Sequence, residues 1–181
     1  MSDPLAQEIL GFWRAAGPAR WFAVDPGFDR ELATRFGDAH LRASRREFEH
    51  WLDEADSALA LVLLLDQVPR NIYRGSPHAF ATDPLARLYA DRALAAGHDR
   101  ACEPALRGFF YLPFEHSEQP EDQARSVALF EALGDAEYLR YAVLHRDLIA
   151  RFGRFPHRNP ILGRTMTAEE QAYLDGGGFA G

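Results

Sequence analysis

Glu115 and His116 are neighbours in the segment FFYLPFEHSE, where aromatic residues precede a polar tetrad that ends at Glu118. Imidazole titrates near neutral pH, so a carboxylate beside it suits proton transfer, with His116 as base and Glu115 as acid or orienting group. Glu115 and Glu118 share a face if the piece is helical, and His116 lies off it. The segment has neither an HExxH pair nor a Cys/His spacing, so no metal site is assigned. Aromatic residues packed in a core, with the acids paired to arginine, are the simpler account of the same segment.

The sharpest charge contrast lies in HRDLIARFGRFPHRNPILGR, residues 145–164. Five arginines and two histidines stand there against one acid, Asp147, in a chain of formal charge −7. Pro156 and Pro160 restrict this loop, and Gly153 permits an unusual backbone angle. A rigid loop that presents guanidinium forks suits recognition of a carboxylate or phosphate. Arg151, Arg154, Arg158 and Asn159 are therefore candidate ligand-binding residues, and His145 and His157 are candidate bases. The structural alternative pairs Arg151 and Arg154 with the preceding helix terminus and with Glu115, Glu118 and Asp66.

Asp66 closes a very apolar stretch and is followed by Gln67, Pro69, Arg70 and Asn71. A carboxylate is disfavoured both by burial and by the C-terminal end of a helix dipole. Asp66 should therefore meet a cation, expected from a distant segment. Asp66, Arg70, Asn71 and Glu118 complete the set of candidate binding residues. Cys102 has no base beside it in the sequence, and His40, His50, His78 and His98 are scattered, as surface or core residues would be. There is no phosphate-binding glycine loop, nucleophile elbow or zinc-finger spacing.

The elements that must position these groups are helical. Asp3-Pro4 and Asp83-Pro84 each read as a cap followed by a first-turn proline. Apolar residues recur at helical spacing from Leu5 to Trp13, from Phe28 to Leu41 and from Leu85 to Leu94. The run Ala58–Leu65 is apolar all round and marks a central buried helix that Pro69 should stop. A short helix is expected over 103–110, with Pro113 as its breaker, and further helices start at Pro120 and Ala136. Thr167 with Glu170 forms a capping box for a last helix, and Gly176–Gly178 should free the tail, residues 176–181. This amounts to about seven or eight helices and no strand, an all-α domain over residues 1–181. Short connections make sequential helices antiparallel hairpins.

The chain has 181 residues, 47% of them hydrophobic, enough for one domain with a sizeable core. Its basic residues are all arginine, as a GC-rich genome would favour, so arginine content alone signals no ligand. Net negative charge disfavours nucleic acid. A single cysteine fits a reducing compartment. The longest apolar run is eight residues, whereas a membrane span needs roughly 20. With no secretory pattern at the N-terminus, a cytoplasmic location is expected.

LLLDQVPRNIYRG, AFATDPLA, FFYLPFEHSE, HRDLIARFGRFPHRNPILGR and TAEEQAYL, in this order, resemble the bacterial family catalogued as domain of unknown function 924. The resemblance spans nearly the whole chain. It implies a tetratricopeptide-like α-α superhelix and no particular activity. Three functions fit these residues. A binding domain would hold an anionic small molecule or peptide carboxylate through Arg70, Arg154, Arg158 and His157. A hydrolase or lyase, metal-independent or metal-assisted, would use His116, His145 or His157 as base with Glu115 or Glu118. A protein-interaction scaffold or homodimer would instead expose an apolar patch. No cofactor is expected.

Overall fold

The computed structural model describes residues 3–181; Met1 and Ser2, with which the N-terminal reading begins, lie outside them. Among the described residues the regular structure is entirely helical, with no strand. The contacts group them into two compact units. The first runs through Arg74 and resumes over His78–Pro113; the second holds Gly75–Pro77 and Phe114–Gly181.

The first unit is built around α4, Ala55–Ile72. Every residue from Ser57 to Pro69 is buried, so no polar stripe is needed along that stretch. Packed on it are α1 (Pro4–Ala16), α3 (Pro26–Ser44) and α5 (Asp83–Ala95). Asp3 caps α1 by accepting from the Leu5 N–H at 2.8 Å. α3 begins at Pro26, two residues before the apolar stripe, because Asp25-Pro26 is one more cap-and-proline start. α5 buries Ala86, Tyr89, Ala90 and Ala93 and leaves Leu88 exposed. Small residues let this helix approach α4 closely, a face that a search for leucines does not find. The short helices α2 (Pro18–Trp21) and α6 (His98–Ala101) and two 3-10 segments, Glu49–Asp53 and Pro104–Phe110, also belong to the unit.

Pro69 does not stop α4. The helix continues for three residues, and the backbone groups that proline disturbs find partners elsewhere. Proline has no N–H for the carbonyl four residues back, that of Leu65. The Thr82 hydroxyl donates to that carbonyl instead, at 2.6 Å. His40 Nδ1 bonds the neighbouring Leu64 carbonyl at 2.7 Å. Leu63, fully buried in the same helix, makes a simple test of this core. Leu63→Ala is expected to cost about 2–5 kcal/mol, read as a lower urea midpoint at unchanged m-value.

The second unit takes up the chain within α7 (Leu112–Glu115), which contains Pro113 in its first turn, and continues with α8 (Pro120–Leu133) and α9 (Ala136–Phe152). Gly134 and Asp135 alone join α8 to α9. Gly134 takes a positive φ of 77° and Asp135 caps α9 through the N–H groups of Glu137 and Tyr138. So short a connection folds α9 back along α8. Leu148, Ile149 and Phe155 form a core against which Phe152, Tyr173 and Phe179 pack. α10, Ala168–Asp175, opens with the capping box of Thr167 and Glu170.

Candidate functional site

In the first unit, Asp66 lies fully buried one and a half turns before the end of α4. Its cation is not distant. Arg70, one turn on, places Nη1 3.4 Å from Asp66 Oδ1 and clamps Asp83 at 2.8 and 3.0 Å. Gln67 Nε2 donates to Asp66 Oδ2 at 2.6 Å. Asn71 donates to the Gln67 carbonyl and accepts from Arg74. Three candidate residues, Asp66, Arg70 and Asn71, thus belong with Gln67 and Asp83 to one hydrogen-bonded network that ties α4 to the start of α5.

In the second unit, Arg151 and Arg154 pair with acids other than those expected, while Glu118, one of the expected acids, pairs with Arg164. Arg154 grips Glu170 through two bonds, 2.6 and 2.8 Å. Arg151 bonds Glu169, and Arg164 clamps Glu118 at 2.8 Å through both oxygens. Glu170 thus serves twice, since the same carboxylate accepts the Thr167 N–H of the capping box. Arg154, with that N–H, lowers the Glu170 pKa to about 2. Burial alone would raise Glu118, but Arg164 and the Phe155 N–H outweigh it and hold the carboxyl below its usual range. Asn159 is fully buried and reaches Met166 Sδ and Glu170.

The histidines gather around a different acid. Gln123, buried in α8, donates to the carbonyls of Glu115 and Ser117, both at 2.6 Å, and so fixes the turn that carries Glu115. His145 comes from the middle of α9. Its Nδ1 lies 2.8 Å from the Tyr141 carbonyl and 3.4 Å from Glu115 Oε1. Both neighbours accept hydrogen bonds, so Nδ1 carries the proton and Nε2 the lone pair. The His116 ring lies 6.5 Å from that of His145, centroid to centroid. Arg158, itself buried, stacks 4.5 Å above Phe155, whose ring is 5.3 Å from His145. Burial first, and then the charges of His116, Arg158 and His157, lower the His145 pKa to about 3, while the Tyr141 carbonyl opposes them. The imidazole is therefore neutral at physiological pH. Among the described residues no three histidine, cysteine, aspartate or glutamate side chains stand close enough to share a metal ion.

One member of this cluster had no signal in the sequence. The glycine run that was expected to free the tail turns the chain back instead, with Gly177 at φ 81°. Phe179 then packs 4.8 Å from the His145 ring and 5.4 Å from that of His157, and its N–H donates to the Tyr173 hydroxyl. A Cβ on Gly178 would fall 2.4 Å from the Tyr173 ring and 2.6 Å from the Tyr173 carbonyl oxygen. Gly178→Ala is therefore expected to lift the tail from the cluster at a cost of about 1–3 kcal/mol. Loss of the ring-current shift that Phe179 imposes on the His145 protons in NMR would report it.

The fold and this site define an all-helical protein with a buried carboxylate–histidine pair ringed by basic groups. The model of a bacterial protein family of unknown function, DUF924, matches residues 9–178, and the chain belongs to that family. A solved structure from Agrobacterium tumefaciens, described as protein of unknown function ATU0120, is 53% identical. The match covers 95% of this chain and 97% of that one, with a TM-score of 0.93. No curated protein matches the chain.

Proposed function

We propose that this protein binds a small anionic molecule at the cluster of His116, His145, His157 and Arg158, and that the Glu115–His145 pair moves a proton there. The observation that carries the proposal is His145 itself. A ring held neutral by burial, its proton fixed on Nδ1 by a carbonyl and a carboxylate, presents Nε2 as a base near Arg158 and two further histidines. An approaching anion stabilises the imidazolium and draws a proton onto Nε2, so binding and protonation are coupled. This is the arrangement expected of a hydrolase or lyase acting on an anionic substrate, with Arg158 as the anion-facing cation.

Arg70, Arg151 and Arg154 each engage an acid within the fold, and this reading gives them a structural role. Folding of α9 back on α8 supports a tetratricopeptide-like arrangement of hairpins, and the absence among the described residues of a helix long and apolar enough to cross a membrane fits a cytoplasmic protein.

The test is calorimetric titration of the protein with inorganic phosphate and with succinate between pH 5.5 and 8, in buffers of different ionisation enthalpy, as an operating range set by imidazole. One site, proton uptake on binding and weaker binding as pH rises are expected. His145→Asn keeps a donor for the Tyr141 carbonyl and should abolish the proton uptake. Equal binding by wild type and variant, or none by either, overturns the proposal.

A further inference from the structure

The first unit holds a second feature, independent of the histidine cluster. Beside the proline-interrupted part of α4 lies a cavity of about 360 Å³, within the range of ordinary small-molecule sites. One wall is a ladder of rings. His40 lies 5.6 Å from Tyr73, and Tyr73 lies 5.5 Å from His78, measured between centroids. Apolar lining comes from Leu41, exposed on α3, with Pro84 and Leu85 at the start of α5.

Three of the polar groups that line the cavity, His40, Thr82 and Ser44, share a polarity. His40 is buried, and its Nδ1 is committed to the Leu64 carbonyl, so its proton sits on Nδ1 and Nε2 is left as an acceptor. Burial holds this ring neutral. The Thr82 hydroxyl hydrogen is committed to the Leu65 carbonyl, and that of Ser44 to the Leu41 carbonyl at 2.7 Å. Both oxygens therefore meet a ligand as acceptors. No arginine lines the cavity, and the Asp83 carboxylate follows Thr82 directly in the chain.

We propose that this cavity is a binding site for a small neutral aromatic molecule with one hydroxyl or N–H donor, its ring against Tyr73 and Leu85 and its donor on His40 Nε2. The same backbone repair that lets α4 pass through Pro69 orients both His40 and Thr82, so the site comes with the fold. Acceptors fixed at His40, Thr82 and Ser44 and a lining without arginine favour a donor-bearing neutral molecule over an anion, which separates this ligand class from that of the histidine cluster in the other unit.

Phenol, toluene and benzoate are the probes, followed by NMR of the histidine side-chain nitrogens in the whole protein. Phenol should bind and shift the His40 Nε2 resonance. Toluene, without a donor, should bind about tenfold more weakly, the worth of one hydrogen bond. Benzoate should not compete. Ala81 lines the cavity and is exposed, so Ala81→Phe fills it while leaving the hydrogen bonds of His40 and Thr82 in place. That variant should keep its melting temperature and lose phenol binding. Toluene binding as tightly as phenol, preference for benzoate, persistence of binding in Ala81→Phe, or no phenol binding at millimolar concentration would each overturn the proposal.

Discussion

Arg70→Ala is expected to be the most damaging single substitution in the first unit, at about 3–5 kcal/mol. Arg70 is the guanidinium shared by two buried carboxylates, Asp66 and Asp83, with Asp83 gripped through both oxygens. Its removal leaves two like charges in a medium that solvates them poorly, and the cost is the desolvation of those charges rather than the strength of one ion pair. For a chain of this length the melting temperature should fall by roughly 10 °C. Restoring neutrality tests the cause. Adding Asp83→Asn to Arg70→Ala should recover part of the loss, because a neutral amide tolerates burial better than a carboxylate does. Arg70→Lys should fall between wild type and Arg70→Ala, since an ammonium supplies the charge but not the planar fork. Calorimetric melting of the three variants decides this. If Arg70→Ala melts within a degree or two of wild type, the pair contributes no more than an exposed ion pair does.

The position of Asp66 shows what a sequence can and cannot disclose. Its apolar neighbours require that it be buried and met by a cation, and it is. That Arg70 meets it from one turn away depends on α4 passing through Pro69, and this is possible because Thr82 takes the Leu65 carbonyl. No local signal encodes that distant hydroxyl. Elements with complete local chemistry were legible: the cap of α1, the buried α4 and the capping box of α10. In the basic loop, the need of Arg151 and Arg154 for acids was legible, whereas their choice of Glu169 and Glu170 depends on where α10 folds. Glu115 and His145 were both singled out, but their meeting is set by Gln123 and the packing of α9 on α8, which spacing does not reveal. His40 and Phe179 were not singled out, for opposite reasons. His40 read as one of four scattered histidines of the surface or core, and Phe179 follows a glycine run that ordinarily loosens a chain.

The second large effect is on pH dependence, and it separates two groups in the second unit. Burial lowers the His145 pKa from 6.5 to about 3, so the unfolded chain takes up the proton before the folded one does. A depressed pKa contributes stability that is fully present above the unfolded value and is lost as pH falls through the folded one. The His145 contribution should thus be intact at pH 7 and decline from about 6.5 towards 3. Glu170 is depressed from 4.5 to about 2 by Arg154, so its contribution declines in a lower window and is nearly whole at pH 5. Between pH 6.5 and 5, then, acid destabilisation should come from buried histidine, with His40 adding in the same direction. In wild type the melting temperature should fall across that interval. In His145→Asn, which keeps a donor for Tyr141, the fall should be much shallower. Glu170→Gln should lower stability at neutral pH by removing its ion pair with Arg154, and should retain the wild-type slope between pH 6.5 and 5. Parallel slopes for wild type and His145→Asn would mean that the folded and unfolded chains bind the His145 proton alike, so that its pKa is not depressed. Burial would then not be what keeps the ring neutral, and the proposed proton transfer would lose the observation that carries it.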